Sequence, residues 1–205
     1  GNNAFDNSQI INLSLPENFK KLDKEWCKGA KYLLQVNVDE NNALFKNING
    51  ILTFNNLEKY EVLFAQKSFI GDFSVDEETV KIGNSCFSNV QNICSLISTA
   101  SSLKKIESFA FYNCENLKNI TIKQAEKLKI GNFCFAENEK LSTIEIQCEE
   151  VEIGENCFEN CSKLSNILFQ VSKKIKINPK TFKGCNDLTH FIVNSKEINI
   201  ENECF

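Results

Sequence analysis

The chain has 205 residues, of which 42% are apolar, with a formal net charge of −4 and a pI near 5.3. This length suits one domain or one elongated repeat array, and the apolar share excludes a disordered chain. The acidic balance argues against a nucleic-acid footprint, which needs a basic face, and no stretch reaches the ~20 apolar residues of a transmembrane helix.

The opening residues GNNAFDNSQI lack the basic and apolar regions of a signal peptide. The expectation is either a cytosolic chain or a leader upstream of this segment. The chain has 17 Phe, no Met and one Trp, so Phe must fill the space that flexible Met fills elsewhere. Residues 1–40 read as degenerate repeats. Leu13 and Leu15 look like the end of one repeat, and Leu22, Leu33, Val36 and Val38 match the apolar positions of another. Residues 41–75 break the rhythm and read as one enlarged repeat. They contain ALFKNI-NG-ILTF, and an Asn-Gly pair between apolar runs is the strongest short-range hairpin signal. The spacing predicts a β-hairpin tipped by Asn49-Gly50, then a further strand over Tyr60–Ala65.

Residues 76–205 repeat regularly. The segments IGNSCF, IESFAF, IGNFCF, IGENCF, INPKTF and IENECF begin at Ile82, Ile106, Ile130, Ile153, Ile177 and Ile200, a period of 23–24 residues. Counting each leading Ile as zero, the unit is I-G-x-x-[CA]-F-x-[NG]-C-x-x-L-x-x-I-x-I. Its L-x-x-I-x-I end alternates as a half-buried strand does. One such unit cannot bury its own apolar face, whereas stacked copies line up inward ladders. The fold expected is therefore a mostly β leucine-rich-repeat solenoid in a single domain over residues 1–205. Each repeat carries short parallel strands, at positions 14 to 16 and −2 to 0, with a helical turn near positions 4 to 8 and tight corners between. Phe at position 5 should form a further ladder from Phe87 to Phe205. Gly at position 1 and Asn or Gly at position 7 suit corners with positive φ. Ile198, Ile200 and Phe205 would lie uncovered at the end, which points to a segment of a longer array.

The stretch IESFAFYNCENLKNITI, residues 106–122, resembles the BspA-like (Treponema-type) leucine-rich-repeat family. The hairpin stretch resembles that family's enlarged repeats. The resemblance implies a cell-surface or secreted protein used in adhesion or recognition, and it names no partner. Two departures stand out. The proline usual after the strand is mostly missing, since only Pro16 and Pro179 occur, and Cys or Thr often replaces Ala at position 4.

Of the ten cysteines, seven follow the repeat register: Cys86, Cys134, Cys157 and Cys204 at position 4, and Cys114, Cys161 and Cys185 at position 8. They read as small buried residues. Two neighbouring-repeat pairs, Cys134 with Cys157 and Cys161 with Cys185, could reach disulfide distance. No C-x-x-C pair occurs and His190 is the only His, so no metal site is expected. No catalytic motif or phosphate-binding loop occurs either, so neither an enzyme nor a cofactor is expected. Asn12, Asn119 and Asn160 head glycosylation triplets, as chance allows in a chain rich in Asn.

The candidate binding surface is the outward side of the main strand, at positions 12, 13 and 15. It comprises Lys118, Asn119, Thr121, Ser142, Thr143, Glu145, Ser165, Asn166, Leu168, Thr189, His190 and Ile192. The hairpin tip, Lys46 to Ile51, is a second candidate. Two readings stay open. One is a surface or secreted module binding protein or glycan on another cell or matrix. The other is an intracellular protein-interaction scaffold, favoured by cysteines left unpaired.

Overall fold

A computed structural model describes residues 4–23, 25–27, 29–56 and 60–205. The chain forms a β-solenoid. Its first strands, β1 (Asn12–Leu15) and β2 (Gln35–Val38), pair in parallel, with Leu13 beside Val36 and Leu15 beside Val38. This is the register read from the degenerate repeats.

The enlarged repeat follows. β3 (Phe45–Ile48) and β4 (Ile51–Asn55) form an antiparallel hairpin, and β5 (Tyr60–Ala65) pairs with β4 on its other side. Asn49 and Gly50 both have positive φ, 51° and 84°, as a two-residue type I′ turn requires. β4 and β5 are apolar on both faces. Ile51, Val62 and Ala65 face the long repeat core, while Leu52 and Phe64 face a smaller core holding Leu15, Trp26, Leu33, Val36 and Phe45. A strand covered on both sides reads as a near-continuous apolar run, as ILTF, interrupted only by buried Thr53, and VLFA do.

From here two strand columns run along the regular repeats. The main column is β6 (Ile70–Val75), β8 (Asn92–Ser98), β10 (Asn119–Ile130), β11 (Thr143–Ile153), β12 (Asn166–Ile177) and β13 (His190–Asn194). The side column begins at β5 and continues through β7 (Thr79–Ile82) and β9 (Lys105–Ile106). It passes along the second halves of β10, β11 and β12 and ends at β14 (Glu197–Ile200). In β10 to β12 the two strands of a repeat fuse into one bent strand, with a pairing irregularity at Lys123/Ala125 where Gln124 takes φ 69°. The parallel register joins Ile120, Ile144, Ile167 and Phe191 into one inward row, buried except at half-buried Phe191. Phe87, Phe111, Phe135, Phe158, Phe182 and Phe205 form the expected ladder, with centroids 4.7 to 5.6 Å apart.

The helical turn expected at positions 4 to 8 is absent; that corner is a chain of reverse turns. The cause is competition for its N–H groups. Phe109, Phe111 and Asn113 donate to the carbonyls of Asn132, Cys134 and Ala136 in the next repeat, at 3.1, 2.8 and 3.0 Å. A helix would direct those donors to its own preceding turn. Left-handed residues at positions 3 and 7 break helical geometry as well, as at Phe109 (φ 57°) and Asn113 (φ 53°). Position 7 was expected to be left-handed. Position 3 was not, since Ser, Phe, Asn, Lys and Glu share it. Gly at position 1 does not serve positive φ; it permits close approach. A Cβ on Gly131 would lie 2.4 Å from the Ser108 backbone N.

All ten cysteines are free thiols, including Cys134, Cys157, Cys161 and Cys185. Position 8 is more than a small apolar site. Cys114, Cys161 and Cys185 donate S–H bonds to the carbonyls of Phe87, Phe135 and Phe158 in the preceding repeat, at 3.1, 3.2 and 3.2 Å. Asn138, which replaces Cys there, donates through Nδ2 to Phe111 O at 2.9 Å. Cys and Asn both offer a donor to that carbonyl, which explains their exchange, whereas Val90 fills the same position of the first regular repeat without one.

Candidate functional site

The parallel register sets the outward side chains of the main column in straight rows. Position 13 forms the row Ser95, Asn119, Thr143, Asn166 and His190, and position 15 forms Ile97, Thr121, Glu145, Leu168 and Ile192. Adjacent strands lie ~4.8 Å apart, so each row offers a side chain at every such step. Asn119, Thr143, Asn166, His190 and Ile192 are exposed, whereas Thr121, Glu145 and Leu168 are half-buried among their neighbours.

Position 12 behaves differently. Ser142, Ser165 and Thr189 turn their hydroxyls onto the carbonyls of Lys118, Ser142 and Ser165, at 3.1, 3.3 and 3.3 Å. They stitch consecutive repeats together, and Lys118 alone at that position carries a free-standing charge outward among the twelve residues singled out. Two of the other side chains are also tied. Thr143 Oγ1 donates to Asn119 Oδ1 at 2.7 Å, and Glu145 pairs with Lys123 at 3.0 Å. His190 Nδ1 lies 3.0 Å from Thr189 Oγ1.

Three parts of this surface escaped the sequence reading. Ile97, 38% exposed, extends the apolar points Leu168 and Ile192. Asp72 and Ser74 on β6 continue both rows, pairing with Ser95 and Ile97. They were hidden because the enlarged repeat shifts the phase. Position 17 adds a row of Lys123, Gln147, Gln170 and Asn194, lying past the end of the recognisable alternation. Gln124, Gln147, Gln170 and Asn194 line a shallow groove of about 550 Å³ over Ala125, Cys148 and Val171.

The side column has another character. Lys127, Glu150, Lys174 and Glu197 stand in one row of alternating sign. The pairs Lys127–Glu150 and Lys174–Glu197 close to 3.2 and 2.5 Å. Such exposed pairs neutralise each other and contribute little stability. The hairpin tip, the second candidate, is pinned. Asn47 donates to Val36 O at 2.6 Å and the Gln66 N–H donates to Gly50 O at 2.8 Å, so it is no free loop. Among the described residues no three His, Cys, Asp or Glu side chains group as a metal-ligand set, and no helix is long and apolar enough to cross a membrane.

Comparison with known proteins agrees with this geometry. A leucine-rich cell-surface protein from Faecalibacterium prausnitzii A2-165 shares the fold with a TM-score of 0.75 at 17% identity, over 97% of this chain and 50% of that one. A leucine-rich-repeat protein from Eubacterium ventriosum matches with a TM-score of 0.74 at 18% identity, over 94% of this chain and 50% of that one. The pneumococcal vaccine antigen PcpA matches with a TM-score of 0.68 at 21% identity, over 98% of this chain and 48% of that one. The chain thus spans about half the length of these three proteins. No curated protein sequence matches it. The sequence profile described as "BspA type Leucine rich repeat region (6 copies)" matches residues 1–62 and 60–186. The chain belongs to the BspA-type leucine-rich-repeat family.

Proposed function

We propose that this chain is a non-catalytic recognition module that binds a protein or glycan of another cell or matrix through its main-strand face. The observation that carries this reading is the pair of aligned outward rows across β8, β10, β11, β12 and β13. Solenoids use such extended arrays for binding. The face is mostly neutral, with apolar points at Ile97, Leu168 and Ile192 among hydroxyls and amides. A site of that kind suits a partner rich in hydrogen-bonding groups. Cell-surface location is part of the proposal and is supported by the names of the similar solved proteins.

A second reading has its own support. All ten thiols are free, which favours a reducing compartment and hence an intracellular scaffold. Staining intact, unpermeabilised source cells with an antibody against residues 76–205 separates the two. Signal on intact cells supports the surface module; signal only after permeabilisation supports the scaffold. The face itself is tested by binding the purified chain to arrayed matrix proteins and glycans, beside the variants Thr121→Arg and Leu168→Arg. A partner captured by the parent chain should bind the variants about tenfold more weakly, as central contacts do. Unchanged capture would place the site elsewhere.

A further inference from the structure

Lys67 follows β5 and lies away from the rows just described. It lines a cavity of about 570 Å³ together with Cys27, Phe64, Ser88 and Tyr112. Its ammonium donates to the Ser88 carbonyl. The ionisable groups acting on it are the thiols of Cys114, Cys27 and Cys86, with no carboxylate among them. Burial holds its pKa below the ordinary lysine value. A cation withdrawn from water without a counter-charge is costly, and proteins normally pair such a group.

The rest of the lining supplies donors. Ser88 Oγ accepts from Asn89 Nδ2 at 3.0 Å, which leaves its O–H free to donate elsewhere. Burial, with Glu137 and Glu159 nearby, pushes the Tyr112 hydroxyl pKa up, so at neutral pH it remains a donor. Those two carboxylates act on Tyr112 and not on Lys67. Asp6 reaches the rim at Gly29, and exposed Lys31 is also among the lining residues. Phe64 forms an apolar wall.

We propose that this cavity binds a small oxyanion, a carboxylate or phosphate group, with the Lys67 ammonium as its counter-charge and the Ser88 and Tyr112 hydroxyls as further donors. The site is independent of the main-strand face. Its size fits a small molecule or a single charged terminus. Charge-assisted hydrogen bonds from Lys67 supply most of the affinity.

The single Trp gives a local reporter. Trp26 precedes Cys27 and its ring lies 5.9 Å from Phe64, a wall of the cavity. Inorganic phosphate and acetate are titrated separately into the chain at constant ionic strength, following Trp26 fluorescence, for the parent and for Lys67→Met. A saturable change is expected with at least one anion, and the one that saturates names the source. Lys67→Met should weaken it by about tenfold or more. A response that never saturates, or that saturates equally in the variant, overturns the proposal. If Lys67→Met fails to fold by circular dichroism, the parent still decides. Mass spectrometry after brief amine acetylation should show Lys67 protected by the bound anion and surface lysines unaffected. Equal acetylation of Lys67 with and without the anion overturns the site.

Discussion

Replacing Phe135 with Ala removes the middle rung of the aromatic ladder. Phe135 is fully buried and stacks on Phe111 at 5.2 Å and on Phe158 at 5.4 Å. Truncating a buried Phe costs about 3–5 kcal/mol. Two lost ring pairs, each worth ~0.5–1.5 kcal/mol beyond area, place this site near the upper end. Phe205 is the contrast: it stacks on Phe182 at 5.5 Å and is 65% exposed. Phe205→Ala should cost under ~1.5 kcal/mol, since little apolar area returns to water. Urea unfolding followed by circular dichroism measures both. A loss of ~5 kcal/mol also lowers the melting temperature by about 10–20 °C in a chain of this size. In a one-dimensional array the damaged rung can uncouple its neighbours, so a smaller denaturant slope is expected with it. Equal losses for Phe135→Ala and Phe205→Ala would refute the ladder as the continuous core.

Three more outcomes follow from the thiols and the close corners. Burial pushes the Cys27 and Cys114 thiols from an ordinary 9.0 up to about 12, so their stabilising contribution is complete below pH 9 and is lost as pH rises toward 12. At pH 10 each forfeits ~1.4 kcal/mol. Lys67, with its folded value lowered, works in the opposite sense but is a single group. The urea midpoint should therefore fall clearly between pH 8 and pH 10, and a flat profile would contradict the burial of these thiols. Iodoacetamide at neutral pH should label half-buried Cys94 first. Cys185, also half-buried, should follow slowly because its thiol pKa is pushed up to about 12. The eight buried thiols should react only on unfolding, and uniform native labelling would count against the packing. Finally, Gly131→Ala should destabilise by about 2–4 kcal/mol, because the new Cβ meets the Ser108 backbone N at 2.4 Å. Gly83→Ala should cost less, its nearest atom being Val62 O at 3.1 Å. Calorimetry of the pair checks that order.

Much of this molecule is legible in its sequence, because a period of 23–24 residues writes each contact many times over. The repeated Ile, Leu and Phe positions determine the strands, their register and the aromatic ladder, since a parallel stack places equal positions side by side. The hairpin is equally local: only a residue pair tolerant of positive φ makes its turn, and Asn49-Gly50 is such a pair. The candidate face follows from the same alternation, which is why Asn119, Thr143, Asn166 and His190 fall in one row. Other features depend on where a donor finds its acceptor in the neighbouring repeat. Position 12 hydroxyls look available in sequence, yet the carbonyl of the previous repeat takes them. The corner looks helical in sequence, yet its N–H groups point to the next repeat. The cavity at Lys67 is the extreme case. It forms where Cys27, Gly29, Ala30 and Lys31 meet the turn after β5 and the corner carrying Ser88 and Tyr112, a meeting of irregular segments that no period records. Repetition made the solenoid readable; the buried charge and its cavity exist only once the chain is folded.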